Sequence, residues 1–269
     1  MFGLLNPFMQ LPPVTGGGGG SDDTDAAAYF AALTTAPSSA ERARVNALVT
    51  ALKGAGLWAL LDWLVLMAAE TAQAGRVNLR KPSKLLTATN SPSFIANVGW
   101  AGDASSSYMD FGEAFQATGN LFAQNSHCIG GLVTQQSSYS GIRFIYGNVA
   151  NNPRNTMSVS NTSATGGYRA ADSTDNIVTA TNTRNGHWTG VRPSSAVKRS
   201  YYNGALLAEV SLASTGLNTS NAATHNSRGP TGDDYMGLVY SGASLTESQV
   251  GQLHAILRDN YFKAKGFMQ

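Results

Sequence analysis

Val197-Lys-Arg-Ser-Tyr-Tyr-Asn203-Gly204-Ala-Leu-Leu-Ala-Glu-Val-Ser-Leu212 is the stretch on which the fold turns. Asn-Gly at its centre suits a two-residue type I′ turn, since both central positions need positive φ and these residues tolerate it best. Beyond the turn, Leu206, Ala208, Val210 and Leu212 alternate onto one face with the period of a strand. The spacing predicts a β-hairpin. The same texture runs from about Asn78 to Tyr240, with short runs broken by Asn, Ser, Gly and Pro roughly every eight to twelve residues. Further strands are expected around Phe94, Tyr108–Phe111, Cys128–Thr134, Ile142–Tyr146, Thr156–Ser160, Ile177–Thr181, His187–Val191 and Tyr235–Tyr240. Many short strands at that spacing predict an antiparallel β-sandwich.

Helical patterns flank this region. Asp25 is placed to cap a short helix carrying Tyr29, Phe30 and Leu33, which Pro37 ends. Ser38-x-x-Glu41 matches a capping box, and Val45, Leu48, Val49 and Leu52 form one apolar stripe that stops at Gly54 or Gly56. A third helix is expected over Leu57–Ala74, with Trp58, Leu61, Leu64, Val65 and Ala68 on one face and Gly75 as its stop. It is apolar nearly all round and so must be covered on both sides. At the other end Thr246 and Gln249 bracket the start of a helix with Val250, Leu253, Leu257 and Tyr261 on one face. It is expected to lie against the sandwich. The chain thus divides into an arm and linker (1–23), a helical region (24–76), a sandwich (77–244) and a C-terminal helix (245–269).

Composition narrows the function classes. The 269 residues are 42% hydrophobic, enough for a sizeable core, but only 13% charged, with a net charge of +2. That balance excludes recognition of nucleic acid by bulk electrostatics, and no Lys/Arg run tracks phosphates. Seven basic residues against two acids between Ala114 and Ala208 make a weakly cationic face. One cysteine, Cys128, excludes an internal disulfide framework and a cysteine-built zinc site, and its apolar surroundings point to a buried small side chain. The apolar run Leu57–Ala69 is too short to span a bilayer, and Met1–Pro13 lacks the basic start of an export signal. A soluble protein is expected.

Five consecutive glycines, Gly16–Gly20, form a flexible tether. They make Met1–Pro13 a separable peptide whose apolar residues Phe2, Leu4, Leu5, Phe8 and Met9 need a partner to cover them. It reads as a docking arm.

Chemistry is harder to find. Glycoside hydrolysis needs two carboxylates across the scissile bond, and Glu41, Glu70, Glu113, Glu209 and Glu247 are isolated in sequence. His127, His187, His225 and His254 are spread singly, against the clustering a histidine metal site needs. No nucleophile elbow or phosphate loop is present. Calcium alone has candidate ligands, Asp103, Asp110, Asp233 and Asp234, if the strands gather them; otherwise no cofactor is implied. For a glycan, Tyr139, Tyr146, Tyr168 and Trp188 offer aromatic faces, with Arg143 and Arg169 as polar neighbours. The chain is expected not to be an enzyme.

Trp100-Ala-Gly-Asp-Ala-Ser-Ser-Ser-Tyr-Met-Asp-Phe-Gly resembles the opening strand of concanavalin A-like, laminin-G-type jelly rolls, where a Gly-Asp-Gly-Ser-like turn precedes a Tyr-x-Asp strand. This sequence has Ala104 where that turn carries Gly, which puts the turn geometry in question. The Tyr-Tyr-Asn-Gly-Ala-Leu hairpin is similar to one in the same family. From Ala26 to Tyr261 the order of motifs also resembles a group of phage and prophage proteins: Ala-Tyr-Phe-Ala-x-Leu-Thr-Thr, Leu57-Trp58, Leu-Asp-Trp-Leu, Asn90-Ser-Pro-Ser-Phe, and Gly-Ala-Ser-Leu-Thr-x-x-Gln. The resemblance implies a mainly β jelly-roll sandwich with N-terminal helices and a C-terminal helix, in a structural component of a virion tail or head appendage. Its arm would dock to other virion proteins, copies would associate, and the sandwich would serve assembly or host-surface contact. The alternative is a carbohydrate-binding, lectin-like module that recognises host glycans.

Overall fold

The computed structural model describes residues 21–137, 142–148, 154–160, 166–172, 177–178, 185–225 and 233–269. In chain order the elements are α1 (Thr24–Ala31), α2 (Ser39–Gly54), β1 (Leu61–Val65), β2 (Thr87–Thr89), β3 (Ser93–Ile95), β4 (Gly99–Ala101), β5 (Tyr108–Asp110), β6 (His127–Gln135), β7 (Ile142–Asn148) and β8 (Arg154–Ser160). There follow β9 (Gly166–Asp172), β10 (Ile177–Val178), β11 (Gly186–Arg192), β12 (Val197–Tyr202), β13 (Ala205–Ser211), β14 (Ala222–Thr224), β15 (Tyr235–Gly242) and α3 (Glu247–Leu257). An eight-stranded sheet runs β13-β12-β11-β6-β15-β4-β3 with β1 also paired to β15, and a seven-stranded sheet runs β10-β9-β8-β7-β14-β5-β2. Neighbouring strands are antiparallel, and the two sheets face each other across one core. This is the expected antiparallel sandwich.

The first sheet is the middle layer of three. One face meets the second sheet through Trp63, Val65, Met67, Ile129, Val133, Trp188, Met236 and Val239. The other meets the helices through Leu64, Cys128, Leu132, Val191, Leu238 and Tyr240. A strand buried on both sides shows no polar face, so β6 and β15 read as unbroken apolar and glycine runs. Close packing sets the glycines: a Cβ at Gly130 would lie 2.2 Å from the Tyr240 ring, and one at Gly190 would lie 2.4 Å from Tyr168. Cys128 is fully buried, and burial raises its thiol pKa far above the ordinary range, which leaves it inert.

The expected third helix is instead a single 3₁₀ turn, Trp58–Leu60, followed by strand β1. Trp63, Val65 and Met67 point into the sandwich while Leu64, Leu66 and Ala68 point to the helices. That is a strict period of two. It was hidden because both faces are apolar, and an apolar run of this length fits a helix or a doubly buried strand equally well.

The hairpin forms as expected, with Asn203 at φ 48° and Gly204 at φ 80°. Its predicted buried face does not. β13 is the edge strand of its sheet, Leu206 is 39% exposed, and Leu207 packs against the sandwich core. A register irregularity between Ser200 and Tyr201 accompanies the change.

The helix ends follow local chemistry. α1 is capped by Asp23, not Asp25: the Asp23 side chain accepts the Asp25 N–H at 2.9 Å. The capping box at α2 is half made. Ser38 Oγ accepts the Glu41 N–H, but the Ser38 N–H goes to Glu70, 32 residues on. α3 has the full reciprocal box between Thr246 and Gln249. Its face Val250, Leu253 and Leu257, continued by Tyr261, is fully buried in the helical layer. No helix among the described residues is long and apolar enough to cross a membrane.

Candidate functional site

The aromatic residues first expected to hold a sugar are interior. Tyr146, Tyr168 and Trp188 are 0, 1 and 4% exposed and sit in the core between the sheets. Inward-facing strand positions take the largest rings because those bury the most apolar area. They present no face to a ligand, and that expectation is corrected. Tyr139 and the arm residues Phe2, Leu4, Leu5, Phe8 and Met9 lie outside the described residues. Arg143 and Arg169 fall on β7 and β9 with their side chains outside the described set.

Of the four aspartates considered for calcium, Asp103 and Asp234 are engaged by backbone N–H groups. Asp103 accepts the N–H groups of Ser105, Ser106 and Ser107 at 2.7–2.9 Å, which holds its carboxyl well below the usual range. Ala104 sits inside this turn at φ 60°, so the turn is made despite the missing glycine, at a cost of roughly 1 kcal/mol. Asp234 accepts the Ser137 N–H at 2.6 Å. Among the described residues no three His, Cys, Asp or Glu side chains gather as metal ligands. The histidines are structural fixtures. His127, His187 and His225 are fully buried. His187 Nδ1 lies 3.2 Å from His254 Nδ1, and its Nε2 lies 3.0 Å from the Tyr240 hydroxyl.

Two glutamates that are isolated in sequence line one cleft with Tyr29, Leu33, Pro37 and Thr71, where α1, the start of α2 and the segment after β1 meet. Burial alone would raise the Glu70 carboxyl, but Ser38 gives it both its N–H (2.8 Å) and its hydroxyl (2.5 Å), and the net shift is downward. It stays ionised and accepts protons poorly. Glu41 is committed to Tyr261, Arg44 and Lys265.

A partly exposed polar strip lies on the outer face of the second sheet, beside Ala223, which pairs with Asp110 and is buried. In β5 the middle residue Met109 is in the core, so Tyr108 and Asp110 point outward. β2 pairs with it in the register Thr89↔Tyr108 and Thr87↔Asp110, and directly paired residues share a face. Asp110 Oδ1 accepts the Gly112 N–H at 2.7 Å and the Asn221 amide at 3.1 Å. Its other oxygen has only a 3.4 Å contact to that amide. Among the described residues the Tyr108 side chain makes no hydrogen bond or ring contact, and it is half-buried. The strip therefore offers an uncommitted aromatic ring, an oriented carboxylate and two hydroxyls. In the sequence the Tyr-x-Asp pattern is a signal of fold only. Thr87, Thr89 and Asn221 carry no local signal.

No protein-family model matches the chain, and no curated protein matches it in sequence. Solved structures do match in fold. A mutant of Trypanosoma rangeli sialidase displaying trans-sialidase activity is similar over 80% of this chain and 39% of its own, at 13% identity and a TM-score of 0.52. The same sialidase in complex with 2,3-difluoro-KDN is similar over 76% and 33%, at 14% identity and 0.54. A structure reporting that cell entry of botulinum neurotoxin type C depends on interaction with two ganglioside molecules is similar over 76% and 53%, at 11% identity and 0.52. The chain thus spans little more than a third of the sialidase chains and about half of the neurotoxin chain. At these identities the likeness establishes a shared fold, an antiparallel β-sandwich. It also corrects the expectation that the chain is not an enzyme: the fold occurs in chains of a glycosidase, and two carboxylates do share a cleft here.

Proposed function

We propose that the chain is a carbohydrate-binding β-sandwich module whose contact surface is the strip of Tyr108, Asp110, Thr87 and Thr89. The observation that carries this is the uncommitted Tyr108 ring beside a carboxylate already aimed by Gly112 and Asn221. A sugar offers an apolar C–H face and directional hydroxyls, and a half-exposed aromatic with fixed polar groups complements both. Solved neighbours of the same fold support a carbohydrate reading in general, since the sialidase is seen in complex with sialic acid and the neurotoxin's cell entry depends on interaction with two ganglioside molecules. A glycan array probed with labelled protein is expected to give a defined set of binders, with signal lost on Tyr108→Ala. An array with no binder at high protein concentration would remove the proposal.

The virion setting implied by the order of sequence motifs is proposed as the context for that binding. Deleting residues 1–13 is expected to abolish incorporation into the particle while leaving glycan binding intact. Incorporation at full occupancy without the arm would defeat it.

A further inference from the structure

The strip also specifies a class of sugar, an inference that rests on the carbohydrate reading above. Asp110 is an acceptor only. Its Oδ1 is occupied by Gly112 and Asn221, so Oδ2 is the oxygen left for a ligand, and what it needs is a donor. Among the described residues Asp110 has no ion-pair partner. Asp103, in the loop leading into β5, is held ionised by three N–H groups and has no ion-pair partner there either. The remaining contributors, Tyr108, Thr87 and Thr89, are uncharged.

We infer that this strip binds an uncharged pyranose, with a C–H face on Tyr108 and a hydroxyl donated to Asp110 Oδ2, and that it rejects acidic sugars. The carboxylate of an acidic sugar has no proton to give Asp110 near neutral pH, and it would sit beside that like charge, which has no ion-pair partner among the described residues. A neutral sugar meets neither obstacle. Its hydroxyl gains a hydrogen bond to a charged acceptor, the stronger kind. The selectivity is therefore opposite to that of a site built around sialic acid, although chains of the same fold are seen in complex with that sugar.

The test is calorimetric titration of the full chain with methyl α-glucoside, methyl α-galactoside, methyl α-mannoside and N-acetylneuraminic acid at low ionic strength. At least one neutral glycoside is expected to bind and the acidic sugar is not. Asp110→Asn keeps an Oδ1 acceptor for the Gly112 N–H, so the turn is retained. It is expected to weaken neutral binding by about ten-fold or more, and Tyr108→Ala by a similar factor, with unchanged melting temperatures. Neutral binding untouched by both substitutions would move the site elsewhere and leave the carbohydrate reading standing. Tighter binding of N-acetylneuraminic acid than of every neutral glycoside would overturn the ligand class. Binding of none of the four would overturn the inference, and a blank array would then remove the carbohydrate reading with it.

Discussion

Urea unfolding at about pH 5 is expected to return a stability about 4 kcal/mol below that at about pH 7.5, carried by His127 and His187. Burial lowers both imidazoles from 6.5 to about 3, because neither can be charged without water around it. The sign follows from which state takes the proton. Above pH 6.5 the histidines are neutral folded or unfolded, and their contribution is intact. As pH falls from 6.5 towards 3 the unfolded chain binds protons that the folded chain refuses, and stability is lost across that window. At about pH 5 each group accounts for about 2 kcal/mol. His225 and His254 are lowered by burial as well and deepen the loss.

Other groups set the limits of the window. Glu70, Asp23 and Asp259 have carboxyls below their ordinary values, so their stabilisation is lost only in more acid solution. Burial raises Asp62, which offsets part of the loss. The pair His187–His254 sharpens the effect. An Nδ1–Nδ1 separation of 3.2 Å has room for one proton between the two rings, and charging both imidazoles would place two cations in contact. Arg258, just past the end of α3, adds repulsion to His254, while Asp259 opposes it and Tyr240 supplies the hydroxyl at the far nitrogen of His187. An unfolding midpoint unchanged between the two pH values would refute the prediction, and His187→Gln should recover about half the loss.

Local chemistry in the sequence was enough for the hairpin at Asn203-Gly204 and for the box at Thr246 and Gln249, because turn geometry and caps are decided by residues within a few positions. Strand β1 was not legible. Its apolarity reports double burial, and only the helical layer on one side and the second sheet on the other reveal why. The site followed the same division. Tyr146, Tyr168 and Trp188 look like sugar platforms in isolation, yet their strands turn them inward. The open ring, Tyr108, was visible as half of a Tyr-x-Asp pattern, but its neighbours come from a strand some twenty residues earlier and from Asn221, 111 residues after Asp110. Register between distant strands leaves no trace in either one.

The same distance effect gives the largest single-residue prediction. Glu41, on α2, is 4% exposed and bonds the Tyr261 hydroxyl, 220 residues away. It also pairs with Arg44 at 2.7 Å and with Lys265 at 2.9 Å, and the Lys265 side chain is 3% exposed. Burial lowers the Lys265 pKa and the Glu41 carboxylate pulls it back; Glu41 is its ion-pair partner, and Asn97 Oδ1 accepts a second hydrogen bond from the ammonium at 2.7 Å. Glu41→Ala removes the acceptor and leaves two cations and a phenol without it in the layer that joins α2 to the C-terminal turn. Breaking a buried pair from one side costs about 3–5 kcal/mol, and urea unfolding is expected to show that loss. Combining Glu41→Ala with Lys265→Met should return most of it, because the cost lies in the stranded charge and not in the absent contact. A single variant within about 1 kcal/mol of the parent would mean that water reaches Lys265 and pays its solvation. A double variant no better than the single would place the cost in lost packing around Tyr261 instead.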